Sequence, residues 1–170
     1  MALRTIHKFP DPVLKKRSKE VKEINQAILK LLDDMAETMY GANGVGLAAP
    51  QVGENLRLIV VDADREKRGE HVYKLINPRI LVREGTTESE EGCLSLPDLV
   101  IKVERADRIV VEALLPDGSL TRIDAEDLLS VALQHEIDHL DAVLLTDRLS
   151  NLKRNRYRER RLREETEARA

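Results

Sequence analysis

From Asn25 to Tyr40 apolar residues return every three or four positions, so Ile28, Leu31, Leu32, Met35 and Met39 share one face of a predicted helix. Asn25 is suited to cap its start, and Gly41 and Asn43 to end it. The period then changes. Short apolar or alternating runs at 56–62, 73–77, 80–83, 100–104, 109–115 and 120–123 predict strands, and Pro116-Asp117-Gly118 predicts a hairpin joining the last two. Helical spacing resumes after Asp124-Ala125-Glu126-Asp127, which reads as a helix start with an acidic first turn. Leu128, Val131 and Ala132 then continue, one and two turns back, the face that carries His135 and His139. Strands in the middle with helices on either side predict an α+β domain. Its short mixed or antiparallel sheets would pack around the central His-bearing helix, flanked by an N-terminal and a C-terminal helix.

At 170 residues the chain is one ordinary domain, large enough for a continuous core, with no internal repeat and no linker. With no Trp and few other aromatics, that core must come from Leu, Ile, Val and Ala. No stretch approaches the roughly 20 apolar residues needed to span a bilayer. Lys8, Asp11 and Lys15-Lys16-Arg17 interrupt any signal-peptide pattern. Together with a single cysteine, this predicts a cytoplasmic protein with no membrane partner. Residues 1–150 are expected to form the main domain and 151–170 a basic, charged helical tail. Positions 153–163 hold seven basic side chains and one acidic one, in a chain whose net charge is −3. The tail fits a solvated helix stitched by pairs such as Glu159–Arg163. It also fits a docking segment for polyanionic RNA.

The chemistry concentrates in Gln134-His135-Glu136-Ile137-Asp138-His139. Two imidazoles four apart lie on one helical face and can meet one metal ion, and Glu136 beside the first can reach a water there. Two ligands are not enough, since a hydrolytic centre usually takes three and leaves one position open. The extended zinc-protease pattern would put a third His where Leu145 stands, Asp141 points off the face, and His7 and His71 have no motif around them. That leaves Cys93, set in Glu90-Glu91-Gly92-Cys93-Leu94-Ser95-Leu96-Pro97, a segment broken by Gly and Pro rather than a plain apolar strand. A Cys-His-His centre with Glu136 alongside is the expectation. A third segment, Gly44-Val45-Gly46-Leu47-Ala48-Ala49-Pro50-Gln51, is rich in small residues that permit close backbone approach to a ligand, but it lacks the Lys-Ser/Thr ending of a phosphate loop.

These three segments, in this order, resemble the GxGLAAxQ, EGCLS and QHExDHL motifs of the peptide deformylase family, and the resemblance covers roughly residues 1–150. It implies metal-dependent hydrolysis of the N-formyl group from formylmethionine at the start of new polypeptides, releasing formate. It implies one ion held by Cys93, His135 and His139, with Fe(II) as the working metal and zinc, nickel or cobalt as replacements. Glu136 would move the proton, while the Gln51 amide and the Leu94 backbone N–H would stabilise the oxyanion. Val45, Gly46, Glu91, Gly92, Leu128, Val131 and Ala132 would bind substrate. The resemblance adds ribosome contact through a basic C-terminal helix, and a monomer is expected. The chain departs from the family at Ala142, where Gly is frequent, at Leu145, where Phe is frequent, and near Val100, where some members carry an Arg that holds the peptide backbone. Two rivals stand beside this reading. One is a peptidase, which would need a third His or Glu ligand. The other is an RNA-binding protein with a structural zinc, which would need a fourth ligand.

Overall fold

The computed structural model describes residues 2–169. Helix α1 spans Gln26–Gly41, and the Asn25 side chain accepts a hydrogen bond from the Ile28 N–H at 3.0 Å. All five apolar residues predicted for its inner face are buried. The strands are β1 (Gly46–Ala48), β2 (Leu58–Val61), β3 (Tyr73–Glu84), β4 (Thr87–Cys93), β5 (Leu96–Arg105), β6 (Arg108–Leu114) and β7 (Leu120–Glu126). Helix α2 follows at Asp127–Leu140, and α3 at Asn151–Arg169. The sheets are antiparallel, one of five strands in the order β1-β2-β3-β6-β7 and one of two, β4-β5. A single parallel bridge joins Lys19 to Leu56.

Helices α1 and α2 cover opposite faces of the five-stranded sheet. Strand β2 shows why, because all four of its residues are fully buried. Leu58 and Val60 pack with Leu32, Met35 and Met39 of α1, whereas Ile59 and Val61 pack with Leu133, Ile137 and Leu140 of α2. A strand covered on both sides reads as a continuous apolar run, as this one does. A third cluster joins Phe9, Leu14, Leu96, Val103, Leu144, Leu145 and Tyr157, tying the N-terminal segment and α3 to β5.

Three expectations need correction. The predicted strands at 73–77 and 80–83 are one strand, β3, with a bulge between Ile76 and Arg79. Asn77 takes φ 51° there, and its side chain bonds Val21 N and O at 2.8 and 2.9 Å, so the irregularity is held from outside the sheet. Of the acidic run 124–127 only Asp127 lies in the first turn of a helix, with Glu126 at the N-cap, and the rest is strand. Strand β7 continues to Glu126 because Ala125 is buried and Arg108 grips Asp124 across the ladder at 2.7 and 2.8 Å. Strand β4 was not predicted at all, since Thr-Glu-Ser-Glu-Glu-Gly-Cys carries no hydrophobic alternation.

The end of α2 settles the turn at Ala142. Asp141 stays at φ −97° and Ala142 takes φ 60°, so the alanine itself occupies the left-handed position. The Val143 N–H reaches Asp138 O at 2.9 Å and the Ala142 N–H reaches His139 O at 3.2 Å, the bond pair of a Schellman cap that glycine usually closes. An L-residue there costs about 1–2 kcal/mol. Ala142→Gly is therefore expected to raise stability by up to about 1 kcal/mol, seen as a higher melting temperature with turnover unchanged.

Candidate active site

Helix α2 presents His135, Glu136 and His139 toward the turn between β4 and β5, where Cys93 and Leu96 are paired partners across the hairpin. One ligand atom from each of Cys93, His135 and His139 lies within 4.8 Å of the others, and Cys93 Sγ is 3.3 Å from His139 Nε2. The imidazoles stand edge to face with centroids 5.0 Å apart. His7 and His71 stay elsewhere, beside Asp11 and Asp64. Leu145 is in the third core cluster, and Asp141 turns to Arg57 at 3.1 Å.

His135 is oriented from behind. Its Nδ1 meets Glu91 Oε1 at 3.1 Å, which leaves Nε2 for an ion. Glu91 is itself gripped by Arg105 through Nε at 2.9 Å and Nη2 at 2.7 Å, and Arg105 Nη1 reaches Asp138 at 2.6 Å. Burial opposes ionisation of Glu91, but hydrogen bonds and charge from Arg105 and His135 outweigh it and hold the carboxyl at about 2. Burial also opposes charge on His135, and Glu136, Cys93 and Glu91 overcome it and raise its pKa well above the ordinary range. His139 goes the other way: burial, then the charges of His135 and Arg105, hold it well below.

Glu136 is buried and its Oε1 has no hydrogen-bond partner, and burial pushes its carboxyl up to about 7. A Cβ added at Gly46 would fall 2.5 Å from Glu136 Oε2, so the glycine leaves room for this carboxylate. Gln51 is fixed by its neighbours: the Ala48 N–H donates to Oε1 at 3.0 Å, so the amide NH2 faces Ser95 Oγ at 3.1 Å and Cys93 Sγ at 3.7 Å.

These groups floor an open cleft of about 410 Å³. Val45, Gly46, Leu94, Glu91 and Gly92 line it from the loop and the hairpin, and Leu128, Val131 and Ala132 from α2. Both Glu91 oxygens are engaged by Arg105 and His135, so its side chain supports the site more than it offers itself to substrate. Val100 is 61% exposed. Sequence reasoning missed Arg105, Asp138 and Arg65, which also lines the cleft. Asp138 sits inside the QHExDHL string and could have been flagged there, whereas Arg105 reads only as the polar end of a strand.

A soft thiolate and two imidazoles suit a divalent transition metal, and the orphaned carboxylate beside them suits a proton carrier. Among the described residues the donor set has three members, one fewer than a closed structural zinc site. The arrangement is that of a metal-dependent hydrolase. The model of the polypeptide deformylase family matches residues 3–155. Peptide deformylase of Thermodesulfovibrio yellowstonii is 51% identical over 94% of this chain and 97% of its own length. The Acidobacterium capsulatum enzyme is 50% identical over 91% of each. A peptide deformylase structure from Legionella pneumophila superposes with a TM-score of 0.90 at 41% identity, covering 99% of both chains. That from Ehrlichia chaffeensis in complex with actinonin gives 0.91 at 38% identity over 97% of this chain and 99% of that one. The chain belongs to the polypeptide deformylase family, hydrolases that remove the N-formyl group from formylmethionine at the start of nascent polypeptides and release formate. Among the described residues no helix is long and apolar enough to cross a membrane.

Proposed function

We propose that Cys93, His135 and His139 hold one divalent ion and that Glu136, Gln51 and Leu94 act on the formyl amide beside it. The observation that carries this assignment is the convergence of three ligand atoms from two separate segments next to a buried, unpartnered Glu136 Oε1. When bound, the ion supplies Lewis acidity, bringing a water's proton loss into the neutral range and polarising a carbonyl. Glu136 takes the proton from the attacking water and returns it to the leaving amine nitrogen. Burial raises this carboxyl to about 7 in the metal-free protein, and the charge of an ion held beside it would favour the carboxylate form that accepts the water's proton. The Gln51 amide and the Leu94 N–H donate to the oxygen that gains charge as the formyl carbon becomes tetrahedral. Val45, Gly46, Gly92, Leu128, Val131 and Ala132 hold the formylmethionyl end, while Glu91 keeps His135 aimed. Breaking the C–N bond yields formate and a free amino terminus.

Fe(II) is taken as the working ion on the family resemblance, with zinc, nickel or cobalt as replacements. The test is turnover of a formyl-Met peptide against its unformylated twin, on protein purified anaerobically with its metal assayed. Release of formate from the first alone is expected. Equal inertness of both on metal-loaded protein would overturn the assignment. Cys93→Ala is expected to lose metal retention, read as metal per chain after dialysis. Metal content equal to wild type would move the third ligand elsewhere.

The protein is proposed to act in the cytoplasm as a monomer, with a catalytic domain of residues 1–150 and a basic helical extension of 151–170. Nascent formylated peptides are its substrates and the ribosome its docking partner. Part of the extension is structural: Tyr157 OH donates to Pro97 O at 2.8 Å, its ring stands 5.7 Å from Phe9, and Arg161 Nε donates to Phe9 O at 3.1 Å. Arg160 and Arg161 pair with Glu164 and Glu165, in place of the Glu159–Arg163 pair expected from sequence. Lys153, Arg156, Arg158 and Arg163 remain exposed and are the groups available to phosphates. Replacing the three arginines by Gln is expected to flatten the salt dependence of ribosome pelleting, with formyl-peptide turnover retained. Unchanged pelleting would leave the tail as a solvated helix.

A further inference from the structure

The loop between β2 and β3 is built as a rigid bracket on the rim of the cleft. Asp62 takes Tyr40 OH at 2.6 Å and the Gly69 N–H at 2.8 Å, and Asp64 caps the N–H groups of Glu66 and Lys67 at 3.0 Å. Arg68 closes the bracket: it donates to Asp62 O at 2.6 Å and to Gly44 O at 2.7 Å, and its guanidinium lies 5.0 Å from the Tyr40 ring centroid. Gly44 begins the glycine segment that lines the cleft, so the loop and the cleft wall are one unit. On this bracket Arg65 turns to the cleft and lines it, exposed, with no ion pair or hydrogen bond among the described residues.

The other charges along the cleft do not duplicate it. Glu91 is neutralised by Arg105, Glu136 is buried at the floor, and Glu90 stands exposed on the β4 wall. On the hairpin side Lys102 stands two residues beyond Val100 and opposite Glu90 across the β4–β5 ladder, where it reaches Glu88 at 3.7 Å, so its charge is set against the carboxylates of β4. Arg65, His135 and Glu136 line the same cleft, so a peptide with its formyl end at His135 and Glu136, advancing about 3.3 Å per residue when extended, can bring a later residue to the Arg65 rim.

We infer that Arg65 is a specificity-determining residue that pairs with a carboxylate side chain one to three positions after formylmethionine, favouring substrates with acidic early sequences. The inference rests on the deformylase assignment above and deepens it. The pair forms at an exposed rim, so its effect is modest: about two- to fivefold in kcat/KM. It appears mainly in KM, because the contact is the same in ground and transition states.

The experiment uses metal-loaded enzyme and C-terminally amidated formyl-Met tetrapeptides, with Asp, Ala or Lys placed in turn at the second, third and fourth positions against alanine elsewhere. Asp is expected to exceed Lys at one position or more, and the advantage to disappear in 1 M salt, where the screening length is about 3 Å. Arg65→Ala should erase the advantage, Arg65→Glu reverse it, and Arg65→Lys keep most of it. Equal values for Asp and Lys at all three positions overturn the inference. So does an Asp advantage that survives Arg65→Ala or that responds to Glu90→Gln instead. Failure of wild-type enzyme to turn over the all-alanine formyl peptide would strike the deformylase assignment itself, which separates the two failures.

Discussion

Glu136→Gln is expected to keep the metal and lose roughly 10²–10⁴-fold in kcat, the range for removing a positioned acid–base group. The side chain is not in the ligand set, so metal per chain should match wild type. The replacement is nearly isosteric, which matters because Gly46 packs directly against this carboxylate. Stability gives an independent check on the metal-free protein. A carboxyl raised from its ordinary 4.5 to about 7 by burial costs stability as pH rises through that window, because the unfolded chain ionises more readily than the folded one. Gln cannot ionise. Metal-free Glu136→Gln should therefore melt higher than metal-free wild type at pH 8, and the two should converge near pH 4.5. Retention of more than a tenth of the wild-type rate would remove Glu136 from the proton's path.

What made this site legible in sequence was local spacing. His135 and His139 share a face because four residues nearly complete a turn, and a single short string carries two of the proposed ligands and the proposed proton carrier. Helix α1 was legible because period and cap agreed at Asn25. Cys93 could be reached by eliminating other ligands. Strand β4 could not be seen, since pairing with β5 and the cleft wall hold it in place of hydrophobic alternation. The run 124–127 misled about where the helix begins, because acidic residues serve equally as a helix start, as Asp127 does, or as cross-strand partners, as Asp124 does opposite Arg108. Ala142 shows the same limit. The departure from glycine was visible, but which neighbour takes the strain is a matter of backbone angles. Arg65 and Arg105 were invisible for a common reason: each acts through groups brought near only by the fold.

Arg105→Met is expected to be the most destabilising single change at the site that spares every metal ligand. The guanidinium is 4% exposed and Glu91 6%, so removing it strands a buried carboxylate, a loss of roughly 3–5 kcal/mol. At about 2–4 °C per kcal/mol for a chain of this size, the melting temperature should fall by about 10 °C. The sign of the pH dependence follows from Glu91. With Arg105 present its folded pKa is depressed to about 2, so its contribution is complete above its ordinary 4.5 and fades only as pH falls from there toward 2. Without Arg105 the buried carboxyl prefers its neutral form, and acid relieves the variant while it weakens wild type. The stability gap should be widest near neutral pH and narrow toward pH 4. Function should suffer through His135, because a loosened Glu91 no longer fixes its Nδ1, and loss of such a supporting contact weakens metal affinity by about 10–100-fold. Excess metal should then restore turnover to Arg105→Met but not to Glu136→Gln, a contrast that separates holding the ion from moving the proton. A gap below about 1 kcal/mol, or one that does not change between pH 7 and pH 4, would mean that Glu91 depends on something other than Arg105 for its charge.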